Sequence, residues 1–150
     1  MSSEIKKDGN RLHITRVFQA PRPLVFSYWA QAEKLQQWSG CKDAHSCTVE
    51  MDFRVGGSFL QKMQIKNVGE FTIRGTYDEI LAPERIAYHA DLGGAITRVI
   101  IEFIEEGVST RVVLTQEGLP DEFSCQMVSQ GTSESFDKLD LTLTQQAASA

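Results

Sequence analysis

The sequence predicts an α+β protein in which a strongly twisted antiparallel sheet of six to seven strands is wrapped around a long C-terminal helix. Between Ser46 and Glu117 the chain reads as five or six β segments, parted by turn signals at Gly56-Gly57, Asn67-Val68-Gly69, Ala82-Pro83-Glu84, Gly93-Gly94 and Glu105-Glu106-Gly107. After Pro120 and Asp121 the period becomes helical, and Phe123, Met127, Phe136, Leu139 and Leu143 fall on one stripe that ends near Gln145. Such a stripe must lie on apolar surface, and the inner face of the twisted sheet is the only one large enough.

The remaining elements follow in order. Residues 12–18 are rich in β-branched and aromatic side chains and read as a first strand. Pro21 and Pro23 stop that strand, and proline fits the first turn of the short helix in which Leu24, Val25, Tyr28 and Trp29 recur at helical spacing. A second short helix carries Leu35 and Trp38 on one side. Alternation then gives each later strand an inner face, namely Phe59, Gln61, Met63 and Ile65, then Phe71, Ile73 and Tyr77, then Ile86, Tyr88 and Ala90. The last two strands contribute Val99, Ile101 and Phe103, and Val112, Leu114 and Gln116, with Lys62, Gln64, Arg74, Glu102 and Arg111 among the outer partners. Gly131 lies inside the long helix, where glycine costs roughly 1 kcal/mol relative to alanine, and marks either a kink or a close approach to the sheet.

At 150 residues the chain has room for one well-packed domain, taken as residues 1–150 with an ordered core over 8–146. Hydrophobic residues at 41% and charged residues at 23% are ordinary for a globular protein. No apolar run approaches the roughly 20 residues of a membrane-spanning helix, and the polar first residues hold no export signal, so a cytoplasmic location is expected. A net charge of −5 with scattered Lys and Arg argues against nucleic acid. Monomer and homodimer both remain open.

The titratable groups offer no recognisable catalytic motif, and no cofactor is expected. His13, His45 and His89 are read as surface or strand-edge residues, because none has a carboxylate or nucleophile at a familiar spacing. Glu79 and Arg85 flank a turn and read as an ion pair across a hairpin, while Asp52 and Arg54 read as strand-end chemistry before Gly56-Gly57, a hairpin turn with positive φ available at both glycines. Cys41, His45 and Cys47 supply only three ligand types without paired Cys-x-x-Cys spacing, so no metal site is assigned, and Cys41, Cys47 and Cys125 are read as free thiols. Gln61, Tyr77, Tyr88 and Gln116 stand out as polar groups among apolar inner-face positions. Buried polar groups need hydrogen bonds, so these residues either satisfy one another and nearby water or meet a ligand.

Seven fragments recur in a fixed order across nearly the whole chain: Pro21-Arg22-Pro23-Leu24-Val25-Phe26, Leu35-Gln36-Gln37-Trp38, Arg54-Val55-Gly56-Gly57-Ser58-Phe59, Gly75-Thr76-Tyr77-Asp78-Glu79-Ile80, Pro83-Glu84-Arg85-Ile86, Leu114-Thr115-Gln116-Glu117-Gly118 and Ser135-Phe136-Asp137-Lys138-Leu139. In order and spacing they resemble the activator of heat-shock-protein-90 ATPase homologue-1-like family, within the START/SRPBCC superfamily of helix-grip folds typified by the major birch-pollen allergen. The resemblance implies a cavity between the sheet and the C-terminal helix, and with it binding of a small hydrophobic or aromatic molecule without catalysis. Trp38, Phe59, Met63, Phe71, Met127 and Phe136 would line that cavity beside the four polar residues, with Ile73, Val99, Ile101, Leu114 and Thr132 completing the wall. The family usually carries a Gly-Trp pair where this chain has Gly131-Thr132, which would enlarge and wet the cavity. Two other functions are implied by relatives, a chaperone-interacting module and a polyketide cyclase/aromatase-like enzyme.

Overall fold

A computed structural model describes residues 3–40, 42–92 and 94–149, the last three by backbone only. The element order is β1 (Glu4–Asp8), β2 (Arg11–Phe18), α1 (Arg22–Ala30), α2 (Ala32–Trp38), β3 (Ala44–Met51), β4 (Ser58–Ile65), β5 (Gly69–Leu81), β6 (Arg85–Asp91), β7 (Ile96–Glu106), β8 (Ser109–Glu117) and α3 (Glu122–Ser149). All strand pairs are antiparallel, in the order β1-β2-β8-β7-β6-β5-β4-β3. The sheet therefore has eight strands where six to seven were expected. The additional strand is β1, whose five side chains are all exposed, so its sequence shows no buried alternation; it is held by backbone pairing with β2 and by the Lys7–Glu122 ion pair to α3.

β2, β7 and β8 alternate most cleanly, with Leu12, Ile14, Arg16 and Phe18, then Thr97, Val99, Ile101 and Phe103, then Thr110, Val112, Leu114 and Gln116 all buried. α1 and α2 close one end of this face with Val25, Phe26, Tyr28, Trp29, Leu35 and Trp38. A train of ring contacts then runs through the core. Phe136 on α3 meets Phe18 at 5.5 Å between centroids, Trp29 at 6.2 Å and Trp38 at 6.1 Å. Trp29 and Phe26 each reach Phe103 at 5.1 Å, and Phe26 passes the contact through Phe53 to Tyr77. Trp38, expected to line a cavity, is instead core, since its indole N–H donates to the Tyr28 carbonyl at 3.0 Å.

α3 is continuous through Gly131, and Cys125, Phe136, Leu139 and Leu143 are its buried positions. Phe123 and Met127, expected on the same stripe, are 60% and 59% exposed. Each lies two residues from Cys125, which is about 200° around a helix of 3.6 residues per turn, so seating Cys125 turns both outward. The helix is also held by a buried charge: Arg16 on the inner face of β2 donates to Asp137 at 2.6 Å and to Ser3 Oγ at 3.1 Å.

The Gly56-Gly57 segment is more than a hairpin turn. Gly56 has φ 84°, but Gly57 does not adopt positive φ, and it is glycine because a Cβ there would collide with the Asp52 carbonyl. The Gly56 N–H donates to the Tyr77 carbonyl at 2.8 Å and the Tyr77 N–H returns to Gly57 at 2.9 Å, which ties the turn to β5.

Leu139 is fully buried beneath α3. Leu139→Ala is expected to cost about 2 to 5 kcal/mol in urea denaturation, and a loss under about 1 kcal/mol would mean that this stripe is not what seats the helix.

Candidate functional site

Strand register brings three of the four inward polar residues into one line. Tyr77 pairs with Tyr88, Tyr88 with Val99, Val99 with Gln116, and Gln116 with Leu12, so a single cross-strand row runs over the inner face from β5 to β2. The neighbouring row is Phe59, Gly75, Ala90 and Thr97. A Cβ on Gly75 would collide with the Phe59 ring and the His89 carbonyl, so glycine there lets the Phe59 ring lie flat across β5. Phe59 thereby reaches Tyr77 at 5.2 Å and Tyr88 at 4.9 Å between ring centroids.

The polar groups divide by what they bond. Gln116 is buried and donates to Thr97 Oγ1 at 3.0 Å, so it belongs to an inner network. The hydroxyls of Tyr77 and Tyr88 and the amide of half-buried Gln61 have no hydrogen-bond partner among the described residues. Burial raises the Tyr88 phenol to about 12, and raises Tyr77 further through burial and the neighbouring Tyr88. Both stay neutral and able to donate across the physiological range.

α3 crosses the mouth of the sheet between two anchors. On one side Cys125 faces Leu12 of β2, and on the other the Ser135 hydroxyl donates to the Gly40 carbonyl at 2.8 Å while Glu134 accepts from the Lys42 N–H at 2.9 Å. Gly40 in turn lies against Met63 of β4. A concavity of about 380 Å³ opens on the β2 side of this crossing. Its walls are Ile5, Leu12 and Cys125, with Ser129, Gln126 and Gln130 on the helix and the Lys7–Glu122 ion pair at its edge.

None of the expected lining residues stands in the wall of that groove. Val99, Ile101 and Leu114 are buried on the inner face, Phe136 is core, and Phe59 and Met63 are buried on β4. Phe71, Ile73 and Thr132 are half-buried, and Met127 points away from the sheet. Leu12, Cys125 and Ser129 were missed. Cys125, Val128, Thr132 and Phe136 share a face at helical spacing, a signal masked by the larger Phe123 and Met127.

Glu79 bonds Arg85 at 2.5 Å, and Asp52 bonds Arg54 at 2.6 Å, as the turns suggested. His89, read as lacking a carboxylate, in fact holds one: its Nδ1 lies 2.5 Å from Asp78 Oδ2 on the outer face. His13 is half-buried against Thr115 Oγ1 at 3.1 Å, and His45 lies on β3. Cys41 lies outside the described residues, and burial raises the half-buried Cys47 thiol against the opposing pull of Lys138. No described helix is long and apolar enough to cross a membrane.

An open antiparallel sheet closed by a long C-terminal helix, with two short helices after its second strand, defines a protein of the helix-grip class. The sequence model described as Activator of Hsp90 ATPase homolog 1-like protein matches residues 19–144, and the chain belongs to that family. A crystal structure of a Mycobacterium smegmatis protein superposes with TM-score 0.82 at 18% identity, covering 95% of this chain and 97% of that one. A Chromobacterium violaceum protein gives 0.78 at 22% identity, covering 89% and 96%. A Rhizobium leguminosarum protein gives 0.72 at 25% identity, covering 96% and 97%. No curated protein sequence matches the chain.

The tyrosine environment has a measurable signature. An alkaline absorbance titration should show two phenols ionising only near pH 12 and above, displaced from about 10 for free tyrosine. The unfolded chain releases these protons first, so their contribution to stability is complete below about pH 10 and is lost as pH rises through about 12. Tyr77 and Tyr88 both titrating near 10 in the folded protein would contradict this environment.

Proposed function

We propose that the chain binds a small hydrophobic or aromatic molecule between the inner face of the sheet and α3, entering by the groove beside β2, and that it acts as a carrier without catalysing a reaction. The observation that carries this reading is the groove of about 380 Å³ walled by Leu12, Ile5 and Cys125, one row end away from buried Gln116. Sites for small molecules are concave and largely apolar, with few polar groups to fix orientation. In the wall of this groove Gln126, Ser129 and Gln130 are the polar groups that would select a ligand able to hydrogen-bond. A ligand losing about 300 Å² of apolar surface gains roughly 7 kcal/mol gross, and association costs reduce that to affinities in the micromolar range.

A second reading follows from the family description and one surface feature. Phe123 and Met127 form an exposed apolar pair on the outward side of α3, the kind of surface a chaperone contact would use. Stimulation of a heat-shock-protein-90 ATPase that Met127→Glu abolishes would favour it over the carrier.

For the carrier, a panel of lipophilic aromatic compounds screened by thermal shift should include members that raise Tm with concentration. Ser129→Phe, which fills the groove from its half-buried wall, should remove that rise while the far-ultraviolet circular dichroism stays native. A panel that leaves Tm unchanged, or a rise that survives Ser129→Phe, would contradict the assignment.

A further inference from the structure

We propose that the outer face of the sheet carries a second site, a groove that takes the carboxylate or phosphate group of a small anionic molecule between Arg74, Thr76 and the His89–Asp78 pair. On this face Thr76 pairs with His89 and His89 with Arg98, while Arg74 pairs with Asp91 and Asp91 with Ile96. Between these two rows lies a depression of about 250 Å³, walled by Arg74, Thr76, His89, Asp91 and Ile96 and floored by Gly75 and Ala90. That is about the liquid volume of eight waters, enough for a small metabolite.

Three features distinguish it from an ordinary solvated sheet face. Asp78 is the extra residue of a β-bulge, since the β5–β6 register breaks between Tyr77 and Glu79. Bulges re-aim side chains, and this one places a carboxylate on His89 Nδ1 at 2.5 Å. That bond fixes the ring, and Nε2 then donates to an anion only in the imidazolium form, because the neutral ring with its proton on Nδ1 keeps Nε2 as an acceptor. Second, Arg74 is engaged by no carboxylate or carbonyl among the described residues. Arg11, Arg16, Arg54, Arg85, Arg98 and Arg111 all have carboxylate partners, and Arg22 reaches the Phe103 carbonyl. A free guanidinium presents a planar fork that matches a carboxylate or phosphate edge. Third, the acid in the wall, Asp91, has its Oδ1 turned to the Gly94 N–H at 2.7 Å, which draws that carboxylate toward the turn after β6 and off Arg74. Ile96, 68% exposed, supplies an apolar side for the rest of the molecule.

The test is a two-dimensional amide NMR titration of the whole chain with benzoate and, separately, inorganic phosphate. Saturable shifts at Thr76, His89 and Ile96 are expected, with affinity falling roughly tenfold or more in Arg74→Ala, as loss of a charged hydrogen bond requires. Arg74→Lys, which keeps the charge without the fork, should fall between the two. Benzoate binding more tightly than phosphate assigns a carboxylate as the natural group, and the reverse assigns a phosphate. No saturable shift with either anion, or an equal loss in Lys62→Ala elsewhere on the outer face, would overturn the proposal. Ser129→Phe lies across the sheet and should leave these shifts unchanged, so this outcome and that of the inner groove are read separately.

Discussion

The seating of α3 is the constraint on which the rest of the structure depends. Phe136, Leu139 and Leu143 supply the apolar part of that seat, and Phe136 alone joins β2, α1 and α2 through its contacts with Phe18, Trp29 and Trp38. Beside this stripe a charge sits where a hydrophobe would be expected. Arg16 has a side chain only 2% exposed and leans on Asp137, which is 65% exposed. A buried guanidinium is costly unless paired, so the pair fixes both how α3 is turned and where along β2 it lies. With that position set, Cys125 falls opposite Leu12 and Ser135 opposite Gly40, and the mouth between the two anchors is defined.

The parts of this arrangement that sequence reveals are those built on repetition. The β4–β8 meander was legible because inward residues such as Phe59 and Met63, or Val99 and Ile101, recur at every second position between glycine-rich turns. β1 was not, because Glu4-Ile5-Lys6-Lys7-Asp8 buries no side chain and so shows no alternation. On α3 the register was legible over Phe136, Leu139 and Leu143 and wrong over the first turns. There the seated residues are the small Cys125 and Thr132, while the large Phe123 and Met127 face solvent. The candidate sites were less visible still. That Tyr77, Tyr88 and Gln116 share one row depends on strand register, and the His89–Asp78 pair depends on a bulge that no residue of β5 announces.

Inner and outer faces therefore do different work with the same strands. Gly75 shows the coupling: its missing side chain admits the Phe59 ring on one side and leaves part of the floor of a groove on the other. On the inner face the Gln116–Thr97 bond is structural, whereas the Tyr77 and Tyr88 hydroxyls are neutral donors without a partner among the described residues. The fold is shared by proteins of under 25% identity to this chain, so function rests on such particular groups and not on the architecture.

The most direct measurement of the central claim is an amide NMR titration with 2-naphthol, an uncharged aromatic probe with one hydroxyl. Saturable shifts are expected to concentrate at Leu12, Gln116, Cys125 and Ser129 and to spread along the row toward Tyr88. Shifts absent from those residues, or confined to the exposed Phe123 and Met127 side of α3, would contradict that claim.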